Sequence, residues 1–263
     1  IGALVEQFGA TAVLCTATQP VLGDLIQRFA PSHAISEICP EIPFYFDKFR
    51  RVTFRQVGVL EDDALAELLC AHEQVLCIIN SRKAAQSIFS KLPEEGSFHL
   101  STLMVPAHRR TVLEQIRRRL NDGLPCRVVS TSLVEAGVDI DFPAVYRELA
   151  GLDSILQAAG RCNREGKRAA EDSIVTIFRR TEKAPPLFGQ AIGATNIALD
   201  NNADPASPQT MENYFHELRK LNGSAIDKIG VIDAFERGRG GSLYPFRTIA
   251  ENFRMIDSLY SVA

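Results

Sequence analysis

Val75-Leu76-Cys77-Ile78-Ile79-Asn80-Ser81 is five apolar residues running into two small polar ones. A run this short suits a strand buried on both faces better than a helix, and it stops at a polar turn. Strands of that kind belong to parallel sheets, in which the connections are helices. The flanking sequence supplies them. Asp62 or Asp63 can cap a helix reaching about His72, and another helix is expected from Lys83 to Leu92.

Further out, the alternation of strand and helix continues. Val52 to Val59 has strand character, and a short strand is expected near Phe98-His99-Leu100. A helix beginning about Pro106 carries its apolar face on Val112, Leu113, Ile116 and Leu120, with Gly123 as its stop. Arg127 to Ser130 reads as a strand, Val145 to Glu148 as an exposed one, and Ile174 to Phe178 as the last. Asp153 is expected to cap a helix that carries Gln157 to Arg164. The fold class is therefore α/β, a parallel sheet flanked by helices. Ligands of such sheets sit beyond the strand C-termini, where Asn80, Ser81, Thr131 and Ser132 fall.

The ends of the chain have another texture. Ala12-Val13-Leu14-Cys15 reads as a buried strand running into Thr16-Ala17-Thr18-Gln19-Pro20, followed by a helix over 21–29. Pro31, Pro40 and Pro43 mark a connector. Beyond residue 182, Ala184-Pro185-Pro186 and Asn201 to Pro208 are turn-rich, Met211 to Leu221 is an amphipathic helix, and 237–241 reads as a mobile loop. Ile1 opens inside a patterned segment, so a fragment is expected.

With 263 residues the chain can build a proper core, and 46% hydrophobic with 23% charged residues reads as globular and soluble. The formal charge of −3 gives no global nucleic-acid signature, although a local groove can be basic on an acidic protein. The six cysteines are scattered without a C-x-x-C pair, and the histidines show no ligand spacing, so no metal site is expected. A reducing cytoplasm is the default location. No apolar run approaches the ~18–20 residues of a membrane span, so no membrane is expected as a partner.

Two segments carry chemistry. Gln157, Arg161 and Arg164 fall at i, i+4 and i+7, nearly above one another on one helical stripe, with Gly160 allowing close approach. Two arginines that repel each other make better sense with an anion in front of them, and a nucleotide phosphate fits. The second segment is Ser130-Thr131-Ser132-Leu133-Val134-Glu135-Ala136-Gly137-Val138-Asp139-Ile140-Asp141. Hydroxyls and free N–H groups at a helix start suit a phosphate, and an Asp held on a turn suits a ribose hydroxyl. Capping and turning explain the same residues. Asn80 and Ser81 equally suit a helix N-cap, Arg117-Arg118-Arg119 a solvated helix face, Cys162 a small packed residue, and Glu135 a structural partner of an arginine.

Read in order, T-A-T, S-T-S-x-x-E-x-G-V-D and Q-x-x-G-R-x-x-R resemble motifs III, V and VI of superfamily 2 helicases. Leu149 to Gly166, with Asn163 inside G-R-C-N-R, is similar to the helicase part of the CRISPR-associated helicase–nuclease of type I interference systems. Phe246 to Asp257 resembles that family beyond its motor. The resemblance implies a RecA-like parallel sheet flanked by helices, followed by a mostly helical accessory region. Its divisions would be 1–31 as the end of the first lobe, 32–51 as connector, 52–181 as the second lobe and 182–263 as part of the accessory region.

It also implies roles. Arg161 and Arg164 match arginine fingers for the γ-phosphate of ATP, and Gln157 a sensor of the same phosphate. Gly137 and Asp139 match positions near the nucleotide sugar. Thr131, Asn80, Ser81 and, more loosely, Ser101 match contacts to a DNA strand, and Thr16, Ala17 and Thr18 the motif coupling hydrolysis to movement. The chain has no G-x-x-x-x-G-K-[ST] loop and no D-E-x-[DH] box. Magnesium ligands, the other half of the ATP site and a nuclease centre are therefore expected on a first lobe and a nuclease domain, and the chain alone is expected to be inactive. Implied partners are single-stranded DNA, moved 3′ to 5′, and a CRISPR surveillance complex. Another superfamily 2 DNA or RNA helicase, or a non-catalytic scaffold that binds a partner through its tail, are the alternatives.

Overall fold

Leu76 and Ile78 pack into one apolar cluster while Val75, Cys77 and Ile79 pack into another, so the run from 75 to 79 is covered on both faces. The computed structural model describes residues 2–15, 32, 35–135, 137–182, 184–200, 203–223, 227, 229–234 and 246–253. Six strands, β1 (Thr53–Leu60), β2 (Gln74–Ile78), β3 (Ser97–Leu100), β4 (Cys126–Ser130), β5 (Ala144–Glu148) and β6 (Ile174–Arg180), form one sheet in the order β1-β6-β5-β2-β4-β3. Every pairing is parallel. All six strands therefore end at the same edge, and β2 ends between its neighbours β4 and β5.

The described helices are α1 (Gly2–Phe8), α2 (Ile42–Lys48), α3 (Asp62–Cys70), α4 (Arg82–Phe89), α5 (Pro106–Asn121), α6 (Leu152–Ala159), α7 (Gly189–Ala198), α8 (Pro208–Asn222) and α9 (Phe246–Asn252). Ile116 of α5 and Ala158 of α6 join Leu76, Val128, Val145 and Phe142 on one face of the sheet. Leu65 and Leu69 of α3 and Ala85 and Ile88 of α4 cover Val129, Tyr146 and Phe178 on the other. A third cluster joins Ile155 of α6, Ile177 of β6, Ala194 of α7, and Met211 and Tyr214 of α8. The chain separates into two compact units, Ile1–Leu218 and Arg219–Ala263. In the second, the Asp227 carboxylate accepts hydrogen bonds from the backbone of Val231 at 2.7 Å and Ile232 at 2.8 Å.

Several expectations need correction. The segment 145–148 is not exposed: all five residues of β5 are buried, because the strand lies between β2 and β6. Ala12 to Cys15 form no strand and are exposed, since no strand of the described sheet pairs with them. Asp153 does not cap α6. Gly151 holds that position, and Asp153 instead accepts a hydrogen bond from the Tyr214 hydroxyl at 2.7 Å. Glu61, not Asp62 or Asp63, precedes α3, and both aspartates sit in its first turn, where negative charge favours the helix dipole. Thr16, Ala17 and Thr18, the helix expected over 21–29 and the loop 237–241 lie outside the described residues.

Two predictions follow from the core. Leu76 is fully buried, so Leu76→Ala is expected to cost ~3–4 kcal/mol in urea unfolding, whereas Val59→Ala on the exposed edge strand costs under about 1 kcal/mol. A Leu76→Ala cost below about 1 kcal/mol contradicts the two-sided burial of β2. Burial also raises the Cys162 thiol from its ordinary value of 9.0 to about 12. Between those values the unfolded chain holds fewer protons than the folded one, so stability falls as pH rises. Cys162→Ala removes that contribution and is expected to flatten the pH dependence of unfolding above pH ~9 by on the order of 1 kcal/mol per pH unit. Parallel curves for the two proteins would contradict it.

Candidate functional site

The strand ends bring three loops together, those after β2, β4 and β5. Ser130 of β4 is in register with Ile78 of β2, which is also in register with Arg147 of β5. Thr131 leaves β4 with its N–H on the Leu100 carbonyl at 3.2 Å, next to buried Ser101 at the end of β3. Its Oγ1 is buried and has no hydrogen-bond partner among the described residues. An unpaired buried hydroxyl costs roughly 1–3 kcal/mol, which a ligand oxygen at the loop could recover. Ser81 occupies the N-cap position of α4 without a side-chain capping bond.

Asn80 is differently placed. Its Nδ2 donates to the Leu149 carbonyl at 2.8 Å and its Oδ1 accepts from Arg147 Nη1 at 2.7 Å, so both ends of its amide are committed inside the lobe. Its backbone N–H donates to Glu148 at 2.7 Å. Arg147 is 1% exposed and places Nη2 3.1 Å from Glu135. The second oxygen of Glu135 accepts from Ser154 of α6 at 3.1 Å. Burial raises the carboxyls of Glu135 and Glu148 and lowers the Arg147 guanidinium, and the attraction between Glu135 and Arg147 opposes both shifts. The expected arginine partner of Glu135 is therefore Arg147.

Gln157, Arg161 and Arg164 do not form one helical stripe. Helix α6 ends at Ala159, with Gly160 closing it, and only Gln157 stands on the helix. The chain then turns and pairs with the segment after the 139–141 turn through a parallel bridge of Phe142 and Cys162. The Phe142 N–H donates to the Arg161 carbonyl at 2.9 Å, and the Asn163 N–H to the Phe142 carbonyl at 3.0 Å. Arg161 is 7% exposed and donates from Nε to the Val134 carbonyl at 2.8 Å and from Nη2 to that of Glu135 at 2.7 Å. Those bonds use two of the five N–H groups a guanidinium carries. Burial, and then the adjacent Arg164 charge, lower the pKa of Arg161.

Arg164 is exposed, and its Nε donates to Asp139 at 2.7 Å, while Arg117 donates to the Asp139 carbonyl at 3.0 Å. Asp141 accepts from the Arg164 backbone N–H at 2.7 Å and pairs with Arg168 at 3.4 Å. Gly137 is exposed at φ +70, a left-handed turn that glycine tolerates. The sequence residues thus form two groups: Thr131, Ser81 and Ser101 at the C-terminal strand ends, and Arg161, Arg164 and Asp139 at the turn beyond α6, which lies against the segments leading into β5, β6 and β1. Among the described residues no three His, Cys, Asp or Glu side chains come together as a metal cage. Asp139 and Asp141 are taken by arginines, so this surface does not fit a magnesium ion.

Asn163 holds the turn. It is buried with φ 48, a conformation non-glycine residues rarely take. Its Nδ2 donates to the carbonyls of Arg51 at 2.9 Å and Arg168 at 2.7 Å, and its Oδ1 accepts from the Arg168 N–H at 3.0 Å. The contacts of Arg147, Arg168 and Ser154 escaped the sequence reading. The apolar neighbours Phe142, Ala144 and Val145 could have marked Arg147 as buried.

Residues 71–167 match the family model described as CRISPR-associated nuclease/helicase Cas3, C-terminal. That stretch is similar to the C-terminal helicase part of Cas3. The match runs from the end of α3 through the turn that carries Arg161 and Arg164. The CRISPR-associated nuclease/helicase Cas3 of Haloferax volcanii is 37% identical over 83 residues, covering 30% of this chain and 9% of that protein. The Cas3 of Methanothermobacter thermautotrophicus is 23% identical over 186 residues, 68% of this chain and 21% of that protein. The chain thus spans less than a quarter of the curated relatives it matches. The solved T. fusca Cas3–ATP structure superimposes with a TM-score of 0.52 at 15% identity, over 90% of this chain and 31% of that one. That likeness is one of fold: the six-stranded parallel sheet with its flanking helices has the RecA-like α/β architecture.

Asn163→Ala is expected to cost ~2–4 kcal/mol, since it removes three hydrogen bonds and leaves a non-glycine residue at left-handed φ. Asn163→Gly is expected to cost less, because it relieves the backbone. Urea unfolding of the two variants checks the order, and an equal or smaller loss for alanine would contradict the pinned turn.

Proposed function

We propose that this chain is the second motor lobe of an ATP-dependent translocase on single-stranded DNA, acting in CRISPR interference against foreign DNA. The observation that carries the reading is the link between the turn beyond α6 and the loop after β4. Arg161, with three N–H groups unused among the described residues, holds the carbonyls of Val134 and Glu135 in the loop whose Thr131 hydroxyl is buried and unpaired among those residues, and the exposed Arg164 follows it in the same turn. The family match over 71–167, whose curated relatives are named nuclease/helicases, and the nucleotide complex of the T. fusca relative support ATP as the substrate.

In this reading the lobe supplies half of an ATP site. A first lobe holds the nucleotide and its magnesium. Arg164 exchanges Asp139 for the γ-phosphate, and Arg161 turns its free Nη1 group to the same charge as it develops. Gln157, near the C-terminal end of α6, senses the phosphate, while Gly137 and Asp139 lie at the nucleotide sugar. Thr131, with Ser81 and Ser101, grips the DNA backbone through hydroxyls and N–H groups. That grip is indifferent to sequence and sensitive to salt. Asn80, whose amide is committed internally, shapes the loop that presents Ser81. Thr16 to Thr18 couple hydrolysis to movement. The motor works in the cytoplasm with a surveillance complex and a nuclease domain, and the tail after residue 182 serves as an accessory region.

In the two-lobe protein, Arg164→Ala is expected to lower ATP turnover by about 10³–10⁵-fold. Single-stranded DNA binding, followed by fluorescence anisotropy, is expected to stay within a few-fold of the parent. Unchanged turnover would reject the finger assignment. A parent that prefers RNA to single-stranded DNA would reassign the motor to another superfamily 2 helicase.

A further inference from the structure

Beneath the strand edge a continuous path of contacts joins the nucleotide-facing turn to the loops assigned to the DNA strand. It starts at Arg161, which holds the carbonyls of Val134 and Glu135. The Glu135 carboxylate then meets Arg147 Nη2 at 3.1 Å. The other arm of the same guanidinium, Nη1, donates to Asn80 Oδ1 at 2.7 Å and to the Glu148 carbonyl at 2.7 Å. Asn80 closes the path through its bonds to Glu148 and Leu149. We propose that Arg147 is a positioning residue that couples the Arg161 turn to the loops after β2 and β4, so that nucleotide contact changes the grip on the strand; this rests on the function proposed above.

Three features favour coupling over simple stabilisation. A guanidinium is planar and rigid, so displacement of Glu135 at one arm moves the acceptor at the other. The Arg161 bonds to the 134–135 turn are also those it gives up if it swings outward to an anion, which leaves the Glu135–Arg147 pair as the charged anchor of that turn. Lastly, the network is a poor way to gain stability. Replacing a buried ion pair by apolar or neutral groups is often neutral or stabilising. Here Arg147 Nε remains buried with no hydrogen-bond partner among the described residues. Ser154 extends the path to α6, the helix that carries Gln157.

The test uses the full-length protein that carries this lobe and compares Arg147→Met/Glu135→Gln with the parent. Removing both charges together avoids stranding one of them. The readouts are the thermal unfolding midpoint and the ratio of ATP turnover with and without a single-stranded oligonucleotide. The double variant is expected to unfold within a few degrees of the parent yet to lose DNA stimulation on the order of tenfold, inside the roughly 5–150-fold range of couplings between sites. Full stimulation in the folded double variant overturns the relay and leaves the motor reading intact. A parent without any DNA stimulation overturns the motor reading and the relay with it. Should the double variant fail to fold, Arg147→Lys decides by the same ratio. Lysine keeps the charge but cannot span both arms, so stimulation is expected to fall, and full stimulation overturns the relay.

Discussion

Arg147 carries its guanidinium into the centre of the lobe, where water cannot reach it, and the loops around it bring acceptors to both of its arms while Nε has no hydrogen-bond partner among the described residues. A charge buried there is tolerable only if acceptors turn inward to meet it. Glu135 from the loop after β4, Asn80 from the loop after β2 and the carbonyl of Glu148 at the end of β5 all do so. The two neighbours of β2 and β2 itself thus end in loops that share one cation. The surface above them inherits its shape from that arrangement, because the backbone at Val134 and Glu135 is also what Arg161 holds.

The lobe divides its chemistry by depth. The middle of the sheet is apolar on both faces and sets stability, with Leu76, Ile78, Val129 and Val145 fully enclosed. Around it the polar groups are less completely paired. Among the described residues the Thr131 hydroxyl at the C-terminal edge has no hydrogen-bond partner, Arg161 uses only part of its donor set, and at the turn beyond α6 Arg164 sits in an exposed pair with Asp139 that water and salt weaken. Weakly committed polar groups above a rigid base are what a site needs if its partners are to be exchanged for a phosphate. The turn that carries them is nevertheless fixed in place, through the Phe142–Cys162 bridge and the three side-chain bonds of Asn163.

How much of this was legible depended on whether the cause was local. The run from Val75 to Ile79 announced β2 because its burial on both faces is written in the residues themselves. The helix from Pro106 was readable by its spacing, and the parallel-sheet rule placed Thr131, Asn80 and Ser81 at the C-terminal edge of the sheet. Strand β5 was misread as exposed because Arg147 and Glu148 look like surface residues. Their buried partners, the carboxylate of Glu135 and the amide of Asn80, come from other segments of the chain. The stripe of Gln157, Arg161 and Arg164 failed for a related reason. Nothing after Ala159 except Gly160 signals a helix end, and the break is enforced by Phe142 from another segment. The motifs singled out both arginines; only the fold showed that, three positions apart, one holds backbone carbonyls and the other an exposed aspartate.

The central claim is that the turn beyond α6 is half of an ATP site whose arginines change partners. It is tested most directly by a structure of the two-lobe protein with ADP and aluminium fluoride, which mimics the phosphoryl group in flight. The account predicts Arg164 released from Asp139 and bonded to the fluoride, with Arg161 Nη1 directed at the same group. Both arginines still on Asp139 and on the carbonyls of Val134 and Glu135, with the fluoride contacted only by the other lobe, would contradict it.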